Sequence, residues 1–314
     1  MVTAGQRRAC ADYPRETYDV SQRKAGHVLG CSRSTLRYRA ADRSEDLPLL
    51  GALERLAGKY PRWGYRRIHV LLERAGWREN IKRVRRLWRE SNLQRPIRRR
   101  RPDKLGAKRG SGVNSCRSRP ARYKNDVWAY DFVADRTSKG GALRWLTLVD
   151  EYTKECLALR VGVSLTGRDV RSVLARVIGR RGAPTSIRSD NGSEFICEAL
   201  TGWLPTKGTE PIPVSPGSPW QNGCSESFNG RFRDEFLEWE EFEDAEDAGE
   251  KGEWFRREYN AVRPHSSIDY KTPREFAAEC DAGRHGQPPG GDDEVAGLRG
   301  RAGQASKSTS KGPQ

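Results

Sequence analysis

Long hydrophobic runs are missing from this 314-residue chain. No stretch approaches the roughly 20 apolar residues that a membrane helix needs, and the first 30 residues, rich in Arg, Asp and Gln, hold no apolar core of a secretory signal. A soluble, cytoplasmic protein with no membrane partner is expected. Histidine is scarce, with four copies at 27, 69, 265 and 285 that lack the H-x3-5-H spacing of a zinc finger. The seven cysteines are odd in number, scattered and free of any C-x-x-C pair, which excludes a disulfide framework and a cysteine-based zinc site. Apolar residues are few as well, at 35%, yet 9 Trp, 10 Tyr and 8 Phe argue against wholesale disorder. The length suits two domains better than one core.

Positive charge is abundant and unevenly placed. The chain carries +16 overall, but residues 1–125 hold 33 Lys and Arg against 11 Asp and Glu, while 126–314 hold 25 against 31. A field so concentrated attracts polyanions, because Lys and Arg release condensed counterions from a phosphate backbone. Nucleic acid is the expected partner. An anionic membrane surface fits less well, since no apolar face accompanies the arginines.

Within residues 1–42, Ser21 and Ser32 can cap two short helices joined at Gly30, a helix-turn-helix-like segment. Ala25, Val28 and Leu29 form one face of the first helix. The second shows Arg33 and Arg37 around a buried Leu36, side chains suited to phosphate and base edges. A helical DNA-binding domain is expected over 43–95. Leu49, Leu50, Leu53 and Leu56 share one helix, and Ile68, Leu71 and Leu72 a second. Asn80 caps a third, whose Ile81, Val84, Leu87 and Trp88 face inward. Its outer side carries Lys82, Arg83, Arg85, Arg86 and Arg89, and only Glu79 and Glu90 at its ends oppose them. Residues 96–121, rich in Arg, Gly, Ser and Pro, read as a flexible basic linker. Residues 281–314, with 8 Gly and no aromatic, read as a disordered tail.

Beyond the linker the periodicity becomes strand-like at 127–134, 143–149 and 156–163, an antiparallel meander. Helical spacing follows over 169–179 and a short strand over 185–188, giving an α/β layered fold. Asp131 lies inside an apolar, aromatic strand, where an unpaired carboxylate costs several kcal/mol of desolvation. Asp190 closes a strand before Asn191-Gly192, a sharp-turn pair. Either aspartate alone also fits a structural turn or cap. From 220 to 239, Phe228, Phe232 and Phe236 recur every four residues as a core face, and Glu226 points away from it together with Asn222, Gly223, Asn229, Gly230 and Arg233. Two strand-borne acids and one helix-borne acid able to converge form a hard-oxygen set suited to Mg2+ or Mn2+ rather than zinc. A pair of such ions, about 3.5–4 Å apart, suits phosphodiester displacement.

Those residues carry a resemblance. Trp128-Ala-Tyr-Asp131-Phe, then Ser189-Asp190-Asn-Gly-Ser-Glu-Phe195, then Ser215-Pro-Gly-Ser-Pro-Trp-Gln-Asn-Gly223 leading into Glu226, closely resemble transposases of bacterial insertion sequences with a retroviral-integrase-like core. Between Asp190 and Glu226 lie 35 residues, the spacing of the D, D-35-E class. The likeness continues through Tyr259-Asn-Ala-Val-Arg-Pro-His-Ser-Ser267 and covers roughly residues 18–280. It implies an RNase H-like catalytic core over 122–280, a mixed five-stranded sheet with flanking helices, preceded by the small all-α helix-turn-helix region. It further implies a catalytic, metal-binding triad of Asp131, Asp190 and Glu226, holding Mg2+ or Mn2+ as two ions, and Mg2+-dependent strand cleavage followed by strand transfer.

Double-stranded DNA as partner, at element ends and target, assembly as a homo-multimer on it, a location at the bacterial nucleoid and fusion to an upstream-frame helix-turn-helix protein come with the same resemblance. Candidate DNA contacts are Arg33, Arg37, Lys82, Arg83, Arg86 and Arg233. Two other readings stay open: an RNase H-like nuclease without strand transfer, and a catalytically silent DNA-binding regulator. Asp126, Asp135, Asp150, Glu151 and Glu194 read as turn and strand-end residues, and His265 as a satisfied turn histidine.

Overall fold

The computed structural model describes residues 4–38, 44–93, 119–189, 200, 202–213 and 222–288. Residues 94–118, which hold most of the expected linker over 96–121, Asp190 with the nine residues after it, 214–221 and the tail from 289 lie outside the described residues. The chain divides into two compact units, 1–59 and 60–314.

The first unit is helical: α1 (Ala4–Tyr18), α2 (Gln22–Val28), α3 (Arg33–Arg37) and α4 (Leu47–Lys59). Ser21 and Ser32 cap α2 and α3 by accepting from the main-chain N–H three residues on, as their positions predict. Gly30 ends α2 at φ +55, and Gly26 lets the turn close, since a Cβ there would stand 2.8 Å from the Cys31 carbonyl oxygen. Two expectations fail at this level. Val28, the last residue of a seven-residue helix, is 76% exposed, and Leu36 is half-buried rather than buried, because so short a hairpin covers only its Ala25–Gly26 face. Helix α1 has no apolar stripe and contains Pro14, so nothing in its pattern marks it as a helix.

In the second unit, α5 (Tyr65–Arg74) and α6 (Ile81–Glu90) precede a five-stranded mixed sheet in the order β3-β2-β1-β4-β5. Its strands are β1 (Val127–Arg136), β2 (Ala142–Asp150), β3 (Cys156–Gly162), β4 (Ser186–Ser189) and β5 (Glu210–Pro213). The meander β1-β2-β3 is antiparallel, and β4 then joins β1 in parallel through the crossover helix α7 (Gly167–Arg181). Three further helices are α8 (Gly223–Phe232), α9 (Ala245–Ala261) and α10 (Pro273–Asp281).

Strand alternation splits the core between the two faces of the sheet. Trp128, Tyr130, Leu146, Leu148 and Ile187 pack with Val170 and Leu174 of α7. Ala129, Val133, Trp145 and Val149 pack on the other face with Phe228, Phe232, Phe236, Phe255 and Tyr259. Trp145 meets Phe232 edge-on at 5.2 Å between ring centroids. It fills the place where α9 crosses the sheet: a Cβ on Gly252 would lie 2.5 Å from its ring. Directly after Phe232 the α8 helix widens into a π-helical turn over Arg233–Leu237, which keeps Phe236 in the core and swings Glu235 toward α5.

Candidate active site on β1 and α8

Asp131 pairs with Thr147 across the β1–β2 ladder and is half-buried on the face covered by α8. The Phe132 main-chain N–H donates to Asp131 Oδ1 at 2.7 Å and the Asn229 side-chain amide to Oδ2 at 2.8 Å. Asn229 is buried, so its outward placement in the helical projection is corrected. The reason is that α8 lies close over β1 and β2, where the Thr147 hydroxyl, 3.0 Å from Asn229 Oδ1 and 3.2 Å from the Asp131 carbonyl, gives the amide oxygen a donor. A polar residue among polar neighbours gave no sign of this; a buried amide needs partners that only the strands supply.

Glu226 stands one helical turn before Asn229 and is exposed. Residues three apart on a helix are side-chain neighbours, about 5–6 Å between Cβ atoms. Asn229 therefore links the face of α8 that carries Glu226 to the Asp131 carboxylate. Asp190, the residue after the last of β4, lies outside the described residues. Among the described residues no group of three or more His, Cys, Asp or Glu is gathered to hold a metal. Asp131 and Glu226 are nonetheless the hard carboxylate donors that Mg2+ or Mn2+ takes.

Neighbouring acids serve the frame. Asp150 is buried and accepts from the main chains of Asn125, Tyr152 and Thr153 at 3.0, 2.8 and 3.1 Å. Glu151 is buried against Arg188 at 2.9 Å, and Asp126 accepts from the Arg122 main chain at 2.9 Å. Asp135 differs. It shares the Asp131 face of β1, burial raises its carboxyl above the usual range against the opposing pull of the Arg136 main-chain N–H and of Arg233, and its Oδ2 has no hydrogen-bond partner among the described residues.

Glu235, missed in the sequence, is the hub of a buried ion cluster. It receives Arg263 Nε at 2.6 Å and Nη2 at 2.5 Å, Trp63 Nε1 at 3.1 Å and Arg67 Nη1 at 3.3 Å. Burial alone would raise its carboxyl, but the hydrogen bonds and charge of Arg263, with Arg67, hold it below the usual range. His265 is buried edge-on against Tyr259, and Nε2 accepts from Arg263 Nη1 at 3.2 Å. Burial, then the charges of Arg263, Arg231, Arg67 and Lys154, lower it to about 2, so the imidazole is neutral, a satisfied turn histidine as expected.

The candidate DNA contacts vary in setting. Arg33 and Arg37 are exposed on α3, with Arg37 Nε donating to Gln22 at 2.9 Å. On α6, Asn80 caps the first turn, Val84, Leu87 and Trp88 are buried, and Lys82 is exposed. Ile81, expected inward, is 40% exposed because it opens the helix beyond the covered stripe. Arg83 and Arg86 pair with Glu79 at 2.9 Å and Glu90 at 3.2 Å. Arg233 is exposed at the start of the π turn.

Sheet order, the α7 crossover and the flanking helices are those of an integrase-type, RNase H-like core. Residues 121–219 and 207–273 match the Integrase core domain family, and 45–101 match an HTH-like domain. The chain is 39% identical over 267 residues to an uncharacterized 31.7 kDa protein of insertion element IS407 from Burkholderia multivorans, covering 84% of this chain and 93% of that one. It is 26% identical over 251 residues to the InsD transposase of insertion element IS2 from Escherichia coli, covering 76% and 81%. Among solved structures, the HTLV-2 integrase catalytic core domain in complex with magnesium matches 51% of this chain and 99% of its own length, at 15% identity and a TM-score of 0.37. This chain belongs to the insertion-element transposases with an integrase core domain, a family of polynucleotidyl transferases.

Proposed function

We propose that the protein cuts DNA strands at the ends of an insertion element and joins the freed 3′-hydroxyl to target DNA, using Asp131, Asp190 and Glu226 as one catalytic and metal-binding set. The observation that carries this is the Asn229 hydrogen bond, 2.8 Å from Asp131, donated by the same helix that bears Glu226 one turn earlier. A sequence separation adds support. β1 pairs with β4 at a constant offset of 59, as in Val127 with Ser186 and Ala129 with Arg188, and the same 59 residues separate Asp131 from Asp190. Bound Mg2+ or Mn2+, as two ions, would supply an activated water or hydroxyl and stabilise the leaving oxygen.

In this reading residues 122–280 perform the chemistry, 43–95 grip DNA and 96–121 join them, with 1–42 as a further helix-turn-helix contact. Arg33, Arg37, Lys82, Arg83, Arg86 and Arg233 would meet phosphates. The protein would work as a homo-multimer on paired ends, with an upstream-frame helix-turn-helix protein as a further partner.

The test uses element-end duplexes in Mg2+. Asp131→Ala and Glu226→Ala should each abolish cleavage while binding is kept, and pre-cut ends should yield joined products. Full cleavage by Glu226→Ala would remove that residue from the mechanism, and hydrolysis without joining would leave a nuclease.

A further inference from the structure

Helix α8 has a second polar flank that the chemistry above leaves unused. At about 100° per residue, Cys224 and Arg231 stand about 160° and about 140° round the helix axis from Glu226. That flank faces a cavity of about 340 Å3 lined by Glu151, Lys154, Ser227, Arg231, His265 and Ser267, among others.

The cavity's charges do not cancel. The Glu151 carboxylate is ion-paired with Arg188, both side chains being buried, and the Lys154 charge acts on it from beyond ion-pair distance, so one carboxylate answers two cations. Arg263 and Arg67, which lie close enough to act on His265, are matched by Glu235. Lys154 and Arg231 act on His265 as well, yet their hydrogen-bond partners are neutral. Lys154 Nζ donates to the Glu151 main-chain oxygen at 2.5 Å and lies 4.0 Å from Cys224 Sγ. Arg231 Nη1 donates to the Ser227 main-chain oxygen at 2.6 Å and to its hydroxyl. Among the described residues neither cation has a carboxylate within ion-pair distance. Lys154 also sits at φ +63, a left-handed position where Gly or Asn is the usual occupant, so the tight turn presents a lysine against backbone preference. Like charges sharing a partly desolvated space repel unless an anion joins them.

The donors suit one kind of anion. Two cations, the Ser227 and Ser267 hydroxyls and a neutral imidazole that accepts at Nε2, and so carries its hydrogen on Nδ1, offer several N–H and O–H groups around one space. That is the coordination of a phosphate group, and the space is large enough for the anion to arrive as part of a chain.

We propose that this cavity binds one phosphodiester of a DNA strand, about a helix-width from the Glu226 flank, and fixes the strand's path rather than its chemistry. The assignment rests on the DNA-handling function proposed above. It would act by position: a phosphate gripped behind α8 sets the register of the strand that passes in front of it.

The test measures binding of the full-length chain to a short fluorescent duplex of arbitrary sequence in EDTA across rising salt, so that a failure of strand cleavage does not touch the readout. Each neutralised phosphate contributes about 0.9 to the slope of log K against log salt. The Lys154→Gln, Arg231→Gln double variant should lower that slope by about 1, and Arg231→Lys should keep the wild-type value. In parallel, duplex DNA should slow alkylation of Cys224 in the wild-type protein severalfold, a reading that survives if the double variant fails to fold. An unchanged slope, or a Cys224 that DNA does not shield, overturns the proposal even where the wild type cleaves normally. A slope change of about 2 overturns the single shared phosphodiester. Shielding by inorganic phosphate equal to that by DNA, with the slope unchanged, makes the cavity a free-anion site and overturns the strand assignment. Absence of any DNA binding by the wild type overturns this assignment and the proposed function together.

Discussion

Asn229 joins what the sequence separates. Its amide spends one N–H on Asp131 and offers its oxygen to Thr147, so the carboxylate on β1 is aimed by a side chain on α8. If Asp131 holds metal as proposed, removing such an orienting hydrogen bond costs about 10–100-fold in metal affinity or activity. Asn229→Ala should therefore retain its fold and DNA binding, while cleavage falls by about that factor and needs more Mg2+ to reach half its maximum. A Mg2+ titration of end cleavage checks this, and an unchanged midpoint and rate would remove Asn229 from the positioning role. Asp131 itself was legible, because a carboxylate inside Trp-Ala-Tyr-Asp-Phe needs a partner. The partner was not: Asn229 lies 98 residues away and looks solvated until α8 is laid on the sheet.

The elements were legible where one apolar pattern ran long enough, as in the three strands and in Phe228, Phe232 and Phe236. They were illegible where the pattern changed pitch. The π turn after Phe232 is such a place, and it turns Glu235 toward Arg263, Arg67 and Trp63. Glu235→Gln leaves Arg263, 2% exposed, without its counter-charge, and losing one partner of a buried pair costs about 3–5 kcal/mol. The Glu235 carboxyl is depressed on folding, so its stabilisation is fully present above its ordinary value of 4.5 and is lost as pH falls through the lower folded value. The gap in Tm between wild type and Glu235→Gln should be widest near neutrality and close in acid below that value. A gap independent of pH would contradict the assignment. Gly252→Ala, which sets a methyl against the Trp145 ring, should lower stability by about 1–3 kcal/mol in urea unfolding.

Across the molecule, charge is segregated along the chain, +22 over residues 1–125 and −6 over 126–314. The exposed side of α6 is one measurable share of that field. Changing Lys82, Arg85 and Arg89 to Gln should weaken binding to any duplex alike and reduce the salt slope by up to about 3. A loss confined to one sequence would instead make α6 a reader of bases. The charge division was plain from composition, whereas the way α5 is fastened was not, because it runs through ion pairs between residues more than 150 positions apart, Arg67 with Glu235 and Arg74 with Glu275.

That fastening has a mechanical result. Glu235 lies in the π turn that continues the helix bearing Cys224 and Glu226, and it is bolted to α5 through Arg67 and to the turn just before α5 through Trp63. A tug on the α5–α6 hairpin cannot be absorbed by a loose joint between them. In the function proposed above, a duplex held by that hairpin would be coupled along α8 to Glu226.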